Sequence, residues 1–165
     1  MTVVALPGMW LIAPVTAGYT IYDASVTSTK RVETSKELCS DYIDVDTTIM
    51  ANPITEEDIA AKVCRILTVN YYSDMTRRIE RENKNKPDGE LPQILSLETK
   101  AFSSWSHSNH DEMLEAEQIL QKYGLPACPE TVTEDLWSKS PTLRELIEFY
   151  TDDVLANQAE MMANE

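Results

Sequence analysis

From Asn52 onward apolar residues recur with a helical period, and before it they do not. Ile59, Val63, Ile66 and Leu67 form one stripe, which continues through Met75 and Ile79 to about Arg81, where "NKNKPDGELP" breaks it. Thr55 stands as its N-cap with Asp58 at N3, Glu56 and Glu57 favour the positive end of the helix dipole, and Ile54 can staple onto Ile59. Ile94, Leu97, Ala101 and Trp105 repeat the helical spacing, as do Met113, Ala116, Leu120 and Tyr123. The latter segment stops at "YGLP", where Gly124 suits a left-handed C′ position, Leu125 packs back and Pro126 prevents continuation. A short helical piece follows around Glu134 to Ser138. Ser140 then reads as the cap of a last helix with Pro141 at N1. Leu143, Leu146, Ile147, Tyr150, Val154 and Met161 form its apolar face, opposite Glu145, Glu148, Asp152 and Asp153.

Residues 2–50 have a different character, rich in Val, Thr, Ile and Tyr and poor in helix formers. The stretches "VVAL", "MWLIAPV", "YTIYDASVTST" and "YIDVDTTIM" read as strands, with Pro7 and Pro14 placing the first of them at an edge or in an arm. The expected fold class is therefore α+β: an extended or β segment over about 2–50, followed by a helical body of four to five helices. The 165 residues suit one domain, with 1–52 as an arm or small sheet and 53–165 as the body.

Composition adds limits on partners. Hydrophobic residues at 42% and charged ones at 25% argue against wholesale disorder. The net charge of -14 is uneven: residues 41–60 carry six acids and no base, whereas 61–86 hold seven bases against three acids. Residues 87–130 and 131–165 each hold eight acids against two bases. Phosphate binding draws on clustered Lys and Arg, so direct nucleic-acid binding is disfavoured, and a protein partner with a basic or neutral surface, or a second copy of the chain, is easier to accommodate. No uninterrupted apolar run is long enough for a membrane span, and "VVALPGMWLIAPV" has no preceding Lys or Arg and is broken by Pro7, Gly8 and Pro14, so neither a membrane protein nor a signal segment is expected. Cys39, Cys64 and Cys128 are odd in number and lack a CxxC, which suggests inert buried thiols in a reducing, cytoplasmic setting, host cytoplasm or virion if the chain is viral.

Few residues carry candidate chemistry. His107 and His110, followed by Asp111 and Glu112, are the one metal or acid/base candidate. Zinc needs three or four protein ligands, however, and Asn109 with Glu112 at N3 reads as a capping box that leaves His107 outside the helix. "DVDTT", with Asp44 and Asp46 two apart, resembles the nucleophile motif of the haloacid dehalogenase phosphatases. That resemblance implies Asp44 as nucleophile, Asp46 as acid/base and a Mg2+ ion. The family also has a fully apolar strand before the motif and a large doubly wound domain after it; here Asp41 interrupts the strand, and a solvated edge strand accounts for the acids. Arg77, Arg78 and Arg81 alternate with Glu80 and Glu82 as on a solvated, ion-paired face, which also suits protein contact. The four glycines are isolated at 8, 18, 89 and 124, so there is no phosphate loop.

These features favour a non-catalytic acidic protein-interaction protein, an assembly or adaptor subunit without a cofactor. Its expected contact residues are Glu145, Glu148, Asp152, Asp153, Arg77, Arg78 and Arg81. An acidic inhibitor that imitates nucleic-acid charge to block a basic groove ranks second. A small metal-dependent hydrolase using His107, His110 and Asp111 or Glu112 ranks third.

Overall fold

The computed structural model describes residues 29–45, 55–101, 106–128 and 140–165; the side chains at 106–110 and 112 lie outside this description. Among the described residues the chain forms four helices: α1 over 29–38, α2 over Glu56–Lys84, α3 over Ser106–Lys122 and α4 over Leu143–Ala163. They contain no sheet, and their only β pairing is an isolated antiparallel bridge between Lys100 and Thr142. The α+β expectation is therefore corrected to a mostly helical fold. The strands placed on residues 2–28 lie outside the described residues.

Helix α1 shows why the β reading failed. Arg31, Ser35, Leu38, Cys39 and Tyr42 recur every three or four residues, and these are the positions turned inward, with Ser35 and Cys39 buried. The Thr, Val and Ser content that suggested strands is a weaker guide than this spacing, because β preference mostly records fit to a pleated surface rather than a backbone property. After α1 the chain turns through hydrogen bonds from Cys39 N to Ser35 O and from Tyr42 N to Cys39 O, and residues 43–45 are irregular rather than a strand.

Helix α2 is the central element. Its start matches the sequence: Thr55 caps it, Asp58 N–H donates to Thr55 Oγ1, and the Asp58 carboxylate accepts from the Thr55 N–H. Residues of its first half are buried on several sides, among them Ile59, Ala61, Val63, Cys64, Ile66, Leu67 and Thr68, as expected of a helix enclosed by others. Farther along, burial narrows to the stripe of Tyr71, Tyr72, Met75 and Ile79. Leu143, Leu146, Ile147, Tyr150 and Val154 of α4 join this core, as do Met113, Ala116 and Leu120 of α3.

Residues 95–101 are not the helix that Ile94, Leu97, Ala101 and Trp105 suggest. They form a strap that turns at 96–99, where Thr99 N donates to Ser96 O, with Leu97 and Ala101 buried and the Arg78 guanidinium of α2 donating to the Lys100 carbonyl over 2.6 Å. The strap's backbone groups find partners at the start of α4: Leu143 N donates to Thr99 O and Arg144 N to Leu97 O, both at 2.9 Å. Two amides that a helix N-terminus leaves unpaired are thus satisfied from outside the helix. The α4 cap is Thr142, with Glu145 at N3, not Ser140. Ser140 takes a left-handed φ of 51° and is buried, so Pro141 precedes the helix instead of opening it.

The end of α3 is as the sequence indicates. Gly124 has φ 79°, its N–H donates to Gln121 O, and Leu125 N donates back to Leu120 O while its side chain is buried. That pair of bonds is a Schellman stop.

Cys39 and Cys64 form a disulfide with Cα atoms 6.0 Å apart, linking the end of α1 to α2. This overturns the expectation of unpaired inert thiols. The pairing is set by α1 lying along α2, a tertiary fact that cysteine spacing does not carry.

Candidate interaction surface

The segment between α2 and the strap is short of apolar burial yet held in place. Asn83, in the last turn of α2, accepts from Gln93 N at its Oδ1 over 2.7 Å and donates from Nδ2 to Gln93 O over 3.0 Å. A side-chain amide thus pairs with one residue's backbone as a neighbouring strand would. Lys86 Nζ donates to Leu91 O over 2.7 Å, and Glu90 N donates to Pro87 O. Between them Gly89 adopts φ 97°, a conformation that costs an L side chain and that glycine accepts.

This anchored loop presents Leu91 and Ile94, each 85% exposed, the most exposed large apolar side chains among the described residues. Asp88 and Glu90, also exposed, precede them. Single exposed aliphatics are ordinary on protein surfaces, but here two sit on a loop whose backbone is tied at Leu91 and Gln93. Ordering a loop before binding reduces the entropy that association must overcome. Sequence reasoning missed Leu91 because "NKNKPDGELP" reads as a helix breaker, and Ile94 because its spacing placed it on a buried helical stripe; aliphatics on both sides of Pro92 in an otherwise polar loop are the signal that marks them.

The residues expected at an interface divide into two groups. Glu148 and Asp152 on α4, and Arg77 and Arg81 on α2, are exposed. Three others serve the fold. Arg78 holds the strap, and Glu145 completes the α4 capping box. Asp153 accepts from Cys128 N over 2.8 Å, and burial raises its carboxyl above the usual range, against the lowering effect of the bonds from Cys128 and Asn157.

The haloacid dehalogenase resemblance is not carried into the fold. Asp44 lies in irregular chain and pairs with Arg65 at 3.2 Å instead of ending a core strand, and Asp46 lies outside the described residues. For the histidine cluster, α3 begins at Ser106, so Asn109 is not its cap and no acid occupies its first turn. Positions 107, 110 and 111 then fall on one helical face at i, i+3 and i+4. Asp111 is exposed, while the side chains of His107, His110 and Glu112 lie outside the description. Among the described residues no group of three or more His, Cys, Asp or Glu could hold a metal ion, and no helix is long and apolar enough to cross a membrane.

Comparison with protein-family models, curated proteins and solved structures gave no match. Functional argument therefore rests on the chain's own surface.

Proposed function

We propose that the protein is a non-catalytic interaction subunit that docks a partner protein through the loop bearing Leu91 and Ile94. The observation that carries this proposal is the anchoring of an 85% exposed aliphatic pair by Asn83 and Lys86. The complementary surface is an apolar patch flanked by Lys or Arg, which would receive Leu91 and Ile94 while pairing with Asp88 and Glu90. Nucleic-acid mimicry is less well supported, since two of the four acids expected in its row on α4, Glu145 and Asp153, are engaged within the fold.

A photo-crosslinking residue at position 91, with a control at Asp152, tests this in extract of the native source. The expected result is a crosslinked protein at 91 and not at 152. Once purified, that protein should bind the wild-type chain and lose at least tenfold affinity for the Leu91→Ser/Ile94→Ser double variant, with weaker binding at high salt. Equal affinity for both chains would sink the proposal. Recovery of a second copy of this chain would place the same surface in a homo-oligomer.

The start of α3 at Ser106 favours one further reading, a metal-dependent hydrolase built on the face of positions 107, 110 and 111. It requires stoichiometric zinc that raises thermal stability and is lost in His110→Ala; absence of zinc binding removes it.

A further inference from the structure

Helix α1 is attached to α2 by contacts unlike those of the core. Arg31 Nη2 donates to Ser73 Oγ over 2.6 Å, and the Ser35 and Thr68 hydroxyls lie 2.7 Å apart, with Ser35 Oγ also donating to the Arg65 carbonyl. Asp44, beyond the helix, reaches Arg65 from an exposed position. Apolar packing comes from Leu38 and Tyr42, both half-buried. Arg31 Nε is buried and has no hydrogen-bond partner among the described residues, an unmet donor that weakens the attachment. Of residues 29–45 only Cys39 belongs to the buried apolar cluster; every other described member comes from Ile59 onward. Most of the described core thus comes from α2, α3, α4 and the segments between them, with α1 adding Cys39 and the flanking Leu38 and Tyr42, and one covalent link crosses the seam.

We propose that the Cys39–Cys64 disulfide is a redox latch that holds α1 on α2 and releases it on reduction while the α2–α3–α4 core stays folded. Cys64 is fully buried and Cys39 is 5% exposed, so a reductant gains access when α1 lifts locally, and reaches Cys39 first. The reductant is a dithiol. One of its thiolates attacks Cys39 Sγ, the S–S bond breaks, and Cys64 leaves as a thiolate that takes up a proton. The second thiol of the reductant loses its proton and attacks the mixed disulfide. Cys39 leaves as a thiolate and is protonated, and the reductant departs as a disulfide, having supplied two electrons. Among the described contacts, reduction then leaves α1 held by the Arg31, Ser35 and Asp44 bonds and the half-buried Leu38 and Tyr42, and its departure uncovers Thr68 and Ser73 of α2.

Amide exchange of the full chain at graded dithiothreitol, with alkylation of each cysteine followed by mass spectrometry, tests the latch. The exposed Cys128 thiol should alkylate in both states and serves as the internal control. On reduction, protection of amides within 31–39 should fall at least tenfold, while those of 63–75 and 146–154 change less than twofold. The Cys39→Ala/Cys64→Ala variant should show the released pattern without reductant. Three outcomes overturn the proposal: unchanged protection of α1 after reduction, collapse of core protection together with α1, or alkylation of Cys39 before any reductant is added.

Discussion

The Tyr150 hydroxyl donates to the Met113 carbonyl over 2.6 Å and thereby ties α4 to α3 inside the core. Burial pushes this phenol above its ordinary range, which favours the protonated donor. Tyr150→Phe keeps the ring and its edge-on contact with Phe149 and removes only this bond. The expected loss is about 1 kcal/mol. That corresponds to a drop of roughly 2–4 °C in Tm for a chain of this size, measured by thermal denaturation. The drop should be the same at pH 6 and pH 9; a difference between them would show that the hydroxyl titrates.

Thr142→Ala removes the side-chain acceptor for Glu145 N and should cost about 1 kcal/mol, whereas Thr142→Ser, which keeps the hydroxyl, should cost much less. Chemical denaturation of the two variants separates the cap from a general effect of substitution at this position.

Asp153 gives the chain a pH dependence with a defined sign. Its carboxyl is raised in the folded state, chiefly by burial, so the folded chain binds this proton more tightly than the unfolded chain does. Stability therefore falls as pH rises from the unfolded value near 3.8 through the folded one, and the penalty is fully present above it. Asp153→Asn retains an acceptor for Cys128 N without the charge. Urea denaturation from pH 3 to 7 should show the variant gaining on the wild type as pH rises; a constant difference would refute the assignment.

Asn83→Ala should leave Tm nearly unchanged, because its partner Gln93 is exposed, yet speed amide exchange at Gln93 at least tenfold. If Leu91 and Ile94 bind as an ordered pair, the same variant weakens partner binding severalfold. Unchanged binding with faster exchange would show that pre-ordering of the loop is irrelevant.

Local signals in the sequence marked two helix ends, whereas the capping box read at Asn109 and Glu112 does not start α3, which begins at Ser106. Thr55 with Asp58 marks the start of α2, and Gly124 with Leu125 marks the end of α3, because each involves hydrogen bonds within a few residues. The apolar stripe of α4 was legible from spacing as far as Val154, with Leu143, Leu146, Ile147, Tyr150 and Val154 all buried, but Met161, placed on the same face, is 61% exposed where the helix runs past its neighbours' core. Failures occurred where distant segments decide. Ser140 is a good cap by type, but the strap's carbonyls at Leu97 and Thr99 receive the amides of Arg144 and Leu143 and support a helix start at Thr142. Leu97 and Ala101 have helical spacing but are buried on either side of a turn at 96–99 rather than on a helix face. The candidate surface was hidden for a related reason: the residues that anchor it, Asn83 and Lys86, appear in the sequence only as polar members of a basic stretch.

The strap also supports the start of α4. A helix must first fix a turn whose cost exceeds the return from one hydrogen bond, and here the partners for two of its opening amides lie more than forty residues upstream. The local Thr142–Glu145 box marks where α4 starts, and the carbonyls of Leu97 and Thr99 add partners from a distant segment. The last helix is therefore joined to the rest of the chain at its first turn as well as along its buried face, so its N-terminus and the strap share one set of hydrogen bonds.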